Sequence, residues 1–148
     1  MDSRFEAFTV LIAKASRYIY KIKTGKMAQY NLKSSHVSCL YYLYKAEALT
    51  AKELCDLCGE DKANISRAVK YLEGEGYISC PSTAQKRYQS ALVLTAKGKS
   101  VGKDITEEID KILHESDKGI TEENRKIFYQ SLTLICENLE KICMQYGE

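Results

Sequence analysis

Apolar residues recur every three or four positions along most of the chain, a spacing that places them on one face of an α-helix. The first such row predicts a helix that fades at the sequence KTGK, residues 23–26. A second helix is predicted from an N-cap at Ser34 to about Lys45. A single proline, at position 81, also favours a mostly helical chain. The first row consists of Phe8, Leu11, Ile12, Ala15, Tyr18, Ile19 and Ile22.

The centre of the chain has the pattern of two short helices joined by a tight turn. Thr50 and Glu53 fit a capping box, which predicts a third helix that ends near Gly59. Asp61 can cap a fourth helix, which the Gly-x-Gly at 74–76 ends. The predicted inward face of this helix is Ile65, Ala68, Val69 and Leu72, and its outward face is Lys62, Asn64, Arg67 and Lys70.

The pattern then changes from helical to β-favouring residues. The segments YISC, residues 77–80, and YQSALVLT, residues 88–95, predict the two strands of a hairpin with a polar loop between them. We expect this hairpin to be the only sheet of the chain.

Two long helices are predicted after the hairpin. Thr95 starts the first, which runs to about Ser116, and Thr121 caps the second. Because the terminal helices carry more apolar surface than a small central module can bury, we expect an intertwined homodimer. The apolar row of the first is Val101, Ile105, Ile109, Ile112 and Leu113, and the seam of the second is Phe128, Leu132, Ile135, Leu139 and Ile142.

Length and charge narrow the class of protein. A chain of 148 residues is expected to form one domain. Residues 62–103 carry eight basic and two acidic groups, whereas residues 104–148 carry five and eleven. A basic block confined to one region is typical of a surface that meets phosphates. The chain shows neither a signal-peptide order nor a long uncharged stretch, so we expect a cytoplasmic protein without membrane partners.

The predicted elements have the order of a winged helix-turn-helix. They are a helix, a tight turn, a helix with a polar outward face and a basic hairpin. Residues 49–98, above all DKANISRAVKYLE and LTAKG, resemble the MarR family of bacterial transcription regulators, and the flanking helices match in number and order. The expected fold is mainly α with a small β-hairpin wing, as a single subunit over residues 1–148. Residues 34–98 would form the DNA-binding module, and residues 1–33 and 99–148 mainly the N- and C-terminal dimerisation helices.

The resemblance implies a repressor-type homodimer that binds a pseudo-palindromic operator in double-stranded DNA. Its recognition helix would enter the major groove and its wing the minor groove, and Asn64 suits adenine and Arg67 guanine. Relatives usually show an Asp before the basic residues of the wing. Here Gln85 or Lys86 takes that place, so Arg87 lacks the carboxylate that usually supports the arginine. Which groove of the DNA Arg87 would contact is therefore left undecided. The predicted DNA-binding residues are Ser34, Ser35, His36, Lys62, Ala63, Asn64, Ser66, Arg67, Lys70, Lys86 and Arg87.

The cysteines suggest a second class of function. Cys55 and Cys58 have the spacing of half a zinc or redox site, but no second such pair follows, so packing is the favoured interpretation. Family members that sense oxidants use a thiol near the dimer helices, which keeps a redox role open, with Cys39 as first candidate. The alternative function is therefore a thiol-based redox or metal-sensing protein with the winged fold as scaffold. The remaining thiols, predicted to serve packing, are Cys80, Cys136 and Cys143.

The family also implies a small phenolic or lipophilic effector, bound between the dimer helices and the winged module. The predicted pocket residues are Tyr18, Ile22, His36 and Cys39. An enzyme is not expected, because the sequence shows no paired carboxylates, no nucleophile with a base and no phosphate-binding glycine loop. We predict neither a cofactor nor a metal site.

Overall fold

The structure, a computed structural model, describes residues 3–81 and 89–147. This part of the chain contains six α-helices and one small sheet, which confirms the predicted mainly helical fold. A π-helical turn, Glu6–Val10, leads directly into the first helix. The helices are α1 (Leu11–Met27), α2 (Ser34–Ala46), α3 (Ala51–Cys58), α4 (Lys62–Gly74), α5 (Ala96–Ser116) and α6 (Glu122–Gln145), and the strands are β1 (Ala48–Leu49), β2 (Ile78–Ser79) and β3 (Leu92–Leu94).

The chain divides into two compact units, residues 1–108 and 109–148, with the boundary inside α5. In the first unit, α2 packs against α3 and α4, and these two helices also pack against each other. Their apolar rows form the core, as the helical spacing predicts. The side chains without exposed surface include Leu40, Leu43, Leu54, Ile65 and Leu72.

A three-stranded antiparallel sheet with the order β1-β3-β2 completes the first unit. The predicted hairpin is confirmed, since Ile78 pairs with Leu94 in antiparallel register. Strand β1 has no counterpart among the predicted elements, and in it Ala48 pairs with Val93. A strand of two residues is too short to show an alternating pattern, so only its pairing with a distant segment identifies it.

The predicted end of the first helix is wrong. Helix α1 does not fade at residues 23–26 but continues to Met27, whose side chain is buried. A glycine within a helix costs about 1 kcal/mol relative to alanine, and Gly25 lies in this stretch. Burial of Met27 and an ion pair between Lys26 and Glu108, at 2.9 Å, offset this cost.

Helices α1 and α6 leave much apolar surface exposed. Of residues 11–27, all of which the structure describes, only Met27 is buried, and Tyr18 and Ile19 are 52% and 53% exposed. None of the residues 122–145 is buried, and Phe128 is 56% exposed. Within the described residues, no helix has the length and apolar character needed to cross a membrane.

The second unit consists of the end of α5, a turn and α6. Thr121 Oγ1 accepts the Asn124 N–H at 3.2 Å, which confirms the predicted cap of the last helix. Arg125 pairs with Asp117 across the turn at 3.2 Å. An open cavity of about 400 Å³ lies in this unit, lined by Asp110, Leu113, His114, Asp117, Arg125 and Tyr129.

Candidate nucleic-acid interface

Helices α3 and α4 form the helix-turn-helix, and each begins at a side-chain cap. Thr50 Oγ1 accepts the Glu53 N–H at 3.2 Å, and Glu53 Oε2 accepts the Thr50 N–H at 2.7 Å, so the predicted capping box is confirmed. Gly59 ends α3 in the left-handed region, at φ +62°. Asp61 Oδ1 then accepts the Asn64 N–H at 2.7 Å and starts α4. Because these caps bind N–H groups that a helix leaves unpaired, they set where α4 begins.

Helix α4 presents a basic face to solvent. Ile65, Ala68 and Leu72 are buried on the opposite side, as predicted, and Val69 is half-buried. Residues 62–70 contain three cations and no acidic residue. The exposed members of this face are Lys62, Ala63, Ser66, Arg67 and Lys70. Apart from the half-buried Asn64, the predicted DNA-binding residues of this helix therefore all lie on its exposed side.

Asn64, near the start of α4, is oriented by a neighbour that the sequence did not single out. Its side-chain Nδ2 donates a hydrogen bond to the carboxylate of Glu60. An asparagine amide has two N–H donors and one carbonyl acceptor, so one donor and the acceptor remain for a base edge. That pair matches the N6 and N7 positions of adenine. Glu60 precedes the cap of α4, so the spacing of residues on a helix does not predict this contact.

The start of α2 differs from the prediction. Its N-cap is Lys33, and Ser34 is the first helical residue rather than the cap. His36 Nδ1 accepts the Lys33 N–H at 3.0 Å, which is the contact that the third residue of a helix makes with the N-cap in a capping box. The buried His36 ring stacks on Tyr71 of α4, with the centroids 4.3 Å apart. Ser34 and Ser35 are half-buried in the first turn of α2.

His36 and Tyr71 connect the start of α2 to helix α4. Burial lowers the pKa of His36, and the positive charge of Lys33 lowers it further. A low pKa suits the geometry, because Nδ1 accepts a hydrogen bond only in the neutral ring. The Tyr71 hydroxyl donates to the Asn31 carbonyl at 2.8 Å and adds a second connection. No short-range pattern predicts these contacts, since they join residues 35 and 40 positions apart.

The sequence LTAKG attaches the start of α5 to the end of α4. Thr95 Oγ1 donates to the Gly76 carbonyl at 2.6 Å and accepts the Gly98 N–H at 3.1 Å, which confirms Thr95 as the start of the helix. Gly98 lies so close to the preceding backbone that a Cβ there would stand 1.9 Å from the Tyr77 carbonyl oxygen. The base of the wing is therefore held by the hydrogen bonds of the Thr95 hydroxyl and by the close packing of the backbone at Gly98, where only glycine fits.

The predicted wing contacts Lys86 and Arg87 lie outside the described residues, as does Gln85. The strands on either side of them are described and pair through Ser79 and Val93 as well as through their neighbours. The contacts of this loop with DNA stay a prediction.

The four predicted pocket residues fall into two places within the first unit. Tyr18 and Ile22 are exposed on α1, at 52% and 40%, whereas His36 and Cys39 are buried in α2. Cys39 has no exposed surface. An effector site formed by these residues stays a prediction.

The six cysteines are free thiols with different surroundings. Cys39 packs in the core, whereas Cys136 and Cys143, which were predicted to serve packing, are exposed on α6. Among the described residues, no group of three or more His, Cys, Asp or Glu side chains could hold a metal ion.

A family model described as "MarR family" matches residues 30–87 of this chain. Solved structures are similar over almost its whole length. NMB1585, a MarR family regulator from Neisseria meningitidis, is 20% identical with a TM-score of 0.83, over 97% of this chain and 98% of that one. The S. aureus MepR–DNA complex is 19% identical with a TM-score of 0.79, over 93% and 99%. A MarR transcriptional regulator from Methanosarcina mazei Go1 is 24% identical with a TM-score of 0.76, over 95% and 94%. No curated protein sequence matches significantly.

Proposed function

We propose that the chain is a winged helix-turn-helix transcription regulator of the MarR family, which binds a pseudo-palindromic operator as a homodimer and represses transcription. The observation that carries this proposal is the exposed basic face of α4, with three cations and no acidic residue between positions 62 and 70. A recognition helix needs such a face, because its first residues meet base edges and its cations meet phosphates. MepR, a protein of similar structure, has been solved with DNA.

The first two turns of α4 would read the bases. Lys62, Ala63 and Asn64 lie at its start, where a recognition helix comes closest to the floor of the major groove. Arg67 follows one turn later on the same exposed side. A bidentate contact of Asn64 with adenine or of Arg67 with guanine discriminates against a wrong base by about 1–3 kcal/mol.

The remaining predicted residues would hold the DNA backbone. Ser34 and Ser35 lie in the first turn of α2, where unpaired N–H groups and the helix dipole favour a phosphate. Ser66 and Lys70 continue the exposed side of α4. On the wing, Lys86 and Arg87 would add contacts whose energy depends on salt and little on sequence.

A second copy of the chain would cover the apolar surface of the terminal helices. Large side chains on α1, such as Ile19, and on α6, such as Phe128, are more than half exposed, at 53% and 56%. Monomers in solution rarely leave contiguous apolar surface of this kind uncovered. A two-fold dimer would also place its recognition helices about 34 Å apart, in successive major grooves.

Regulation would act through the same architecture. A small phenolic or lipophilic effector near Tyr18, Ile22, His36 and Cys39, or oxidation of a thiol, would change DNA affinity by favouring one arrangement of the two recognition helices. The effect is reciprocal, so operator DNA would weaken effector binding by the same factor.

Selection of duplexes from a random library with the purified full chain tests the proposal and requires no known operator sequence. We expect recovery of a sequence with two inverted half-sites, bound by a particle of twice the 16.8 kDa of one chain in light scattering. Affinity should fall steeply between about 50 and 200 mM salt. A library that stays random after repeated rounds, or a single-chain mass, would contradict the proposal.

Two variants and a matched control locate the interface. Arg67→Ala should cost about 1–3 kcal/mol and relax the preference at one position of each half-site. Lys86→Ala should weaken all sequences alike and reduce the salt slope by about 1. Lys118→Ala, an exposed lysine paired with Glu115 in the second unit, is the control and should leave affinity unchanged. Equal affinities for all three variants would mean that α4 and the wing do not meet DNA.

A further inference from the structure

Asn64 is held at two points at the start of α4. Its backbone N–H donates to Asp61 Oδ1 at 2.7 Å, and its side-chain Nδ2 donates to the carboxylate of Glu60. Both Asn64 and Glu60 are half-buried. Because the cap fixes the backbone and the carboxylate fixes the side chain, the orientation of the amide is set before DNA arrives.

Glu60 is itself held by the turn between α3 and α4. Its N–H donates to the Cys55 carbonyl at 3.2 Å. Gly59 precedes it in the left-handed region, at φ +62°, a conformation that glycine adopts without strain. The turn therefore keeps the Glu60 backbone in a defined place beside the cap residue Asp61, and the hydrogen bond with Asn64 keeps its side chain there.

The Glu60 carboxylate determines which end of the Asn64 amide is used. An ionised carboxylate only accepts hydrogen bonds, so it binds the NH2 end of the amide and not the carbonyl end. One of the two N–H donors is thereby occupied, and one N–H and the carbonyl oxygen remain. Without Glu60 the amide would be free to turn and to present both N–H donors.

The groups that remain on Asn64 distinguish the two purines. In the major groove adenine presents the N7 acceptor and the N6 amino donor, which pair with one N–H and one carbonyl oxygen. Guanine presents two acceptors, N7 and O6. An amide that keeps one N–H on Glu60 has a single donor for them, and its carbonyl oxygen would face O6. Guanine is therefore disfavoured, because one acceptor is left unpaired.

We propose that Glu60 is a specificity-determining residue, which restricts Asn64 to adenine by occupying one of its two amide hydrogens. The inference rests on the proposed function and adds to it a positioning residue that lies outside α4. Glu60 acts through Asn64 and needs no contact with a base. Its negative charge also opposes the approach of phosphates. The residue thus lowers affinity for wrong sequences rather than raising it for the correct one.

Competition binding with the purified full chain tests this role. The probe is the duplex recovered by random selection, and the position that Asn64 contacts is the one at which Asn64→Ala loses its base preference. At this position an adenine–thymine pair is exchanged for guanine–cytosine in both half-sites, and the ratio of the two affinities is measured. The variants are Glu60→Ala, Asn64→Ala and the double variant, and the matched control is Asp56→Ala, which removes an exposed carboxylate of α3. Circular dichroism verifies that each variant is folded.

We expect the parent chain to prefer adenine over guanine by about tenfold or more. Glu60→Ala should reduce this ratio by about threefold or more, mainly because its affinity for the guanine duplex rises. Asp56→Ala should keep the parent ratio. In the Asn64→Ala background the removal of Glu60 should leave the ratio unchanged, because the amide through which Glu60 acts is absent. A purely structural role of Glu60 would instead weaken binding to both duplexes by the same factor.

Five outcomes would overturn the inference. They are an unchanged ratio in Glu60→Ala, an equal change in Asp56→Ala, a change that persists in the Asn64→Ala background, an equal loss of affinity for both duplexes, and no position at which Asn64→Ala loses a preference for adenine. If one of these appears with a duplex that the parent chain selects, only the role of Glu60 fails and the proposed function stands. If the parent chain selects no duplex, the proposed function fails and the role of Glu60 fails with it.

Discussion

Replacement of Gly98 by alanine should destabilise this protein more than an ordinary helix substitution does. Gly98 lies in the first turn of α5, where a Cβ would stand 1.9 Å from the Tyr77 carbonyl oxygen and 3.0 Å from its carbon. A close C–H···O contact needs about 3.3 Å, so the two backbone segments must separate by about 1.4 Å. No side-chain rotation can relieve this contact, because both partners are backbone atoms.

The loss in free energy of unfolding can be worked out from the hydrogen bonding that this separation disrupts. The Tyr77 carbonyl accepts the Thr95 N–H at 3.0 Å, whereas the single proton of the Thr95 hydroxyl is shared between the Gly76 carbonyl at 2.6 Å and the Tyr77 carbonyl at 3.2 Å. Loss of the backbone hydrogen bond costs about 1 kcal/mol, and strain from overpacking adds about 1–3 kcal/mol. Alanine recovers at most about 1 kcal/mol through its higher helix propensity. We therefore expect the free energy of unfolding to fall by roughly 1–3 kcal/mol.

Urea unfolding followed by circular dichroism, at one protein concentration, measures the effect. Two further glycines provide a graded comparison. At Gly102 a Cβ would meet Tyr44 Cβ at 3.2 Å, so Gly102→Ala should cost less than Gly98→Ala. At Gly74 nothing lies within 4 Å, so Gly74→Ala should be neutral or slightly stabilising. If Gly98→Ala unfolds at the same urea concentration as Gly74→Ala, the close approach of α5 to Tyr77 is refuted.

Three other predictions concern the helix caps and the contact between α2 and α4. Asp61→Ala removes the cap of α4 and should lower the free energy of unfolding by about 1 kcal/mol, whereas Asp56→Ala, on the exposed side of α3, should change it by less than about 0.5 kcal/mol; equal effects would contradict the capping role. Because folding lowers the pKa of His36, the unfolded chain binds its proton more readily, so stability should fall as pH drops below about 6.5 and level off below the folded pKa. Urea melts at about pH 5.5 and 7.5 should therefore differ less in His36→Gln than in the parent chain, and an unchanged difference would refute this role. Tyr71→Phe keeps the stack on His36 but loses the hydrogen bond to the Asn31 carbonyl, which should cost about 1 kcal/mol in the same assay; no loss would show that water replaces this bond.

Helix starts and the inner face of α4 could be predicted from the sequence alone. The caps formed by Thr50, Asp61, Thr95 and Thr121 each connect a side chain to a backbone N–H three residues later. Such contacts depend only on the local chain, so residue type and spacing suffice to identify them. The exception is the start of α2, where Lys33 rather than the predicted Ser34 is the N-cap and the His36 side chain accepts its N–H.

The candidate site was predicted less completely. The exposed residues of α4 follow from helical periodicity, but Glu60, which orients Asn64, was not among the predicted residues. The first helix was predicted too short because a glycine near its end suggests a break. Its actual end depends on contacts with residues far along the chain, such as Glu108.

What the sequence determined by itself was the order of the helices, most of their caps and the polar side of α4, because these depend on interactions within a few residues. Only the tertiary structure decided that Ala48 pairs with Val93, that His36 stacks on Tyr71 and that Gly98 faces the Tyr77 carbonyl. The physical reason is that burial of the apolar faces determines which distant segments meet, and the neighbours of a residue in the sequence do not show which segments these are.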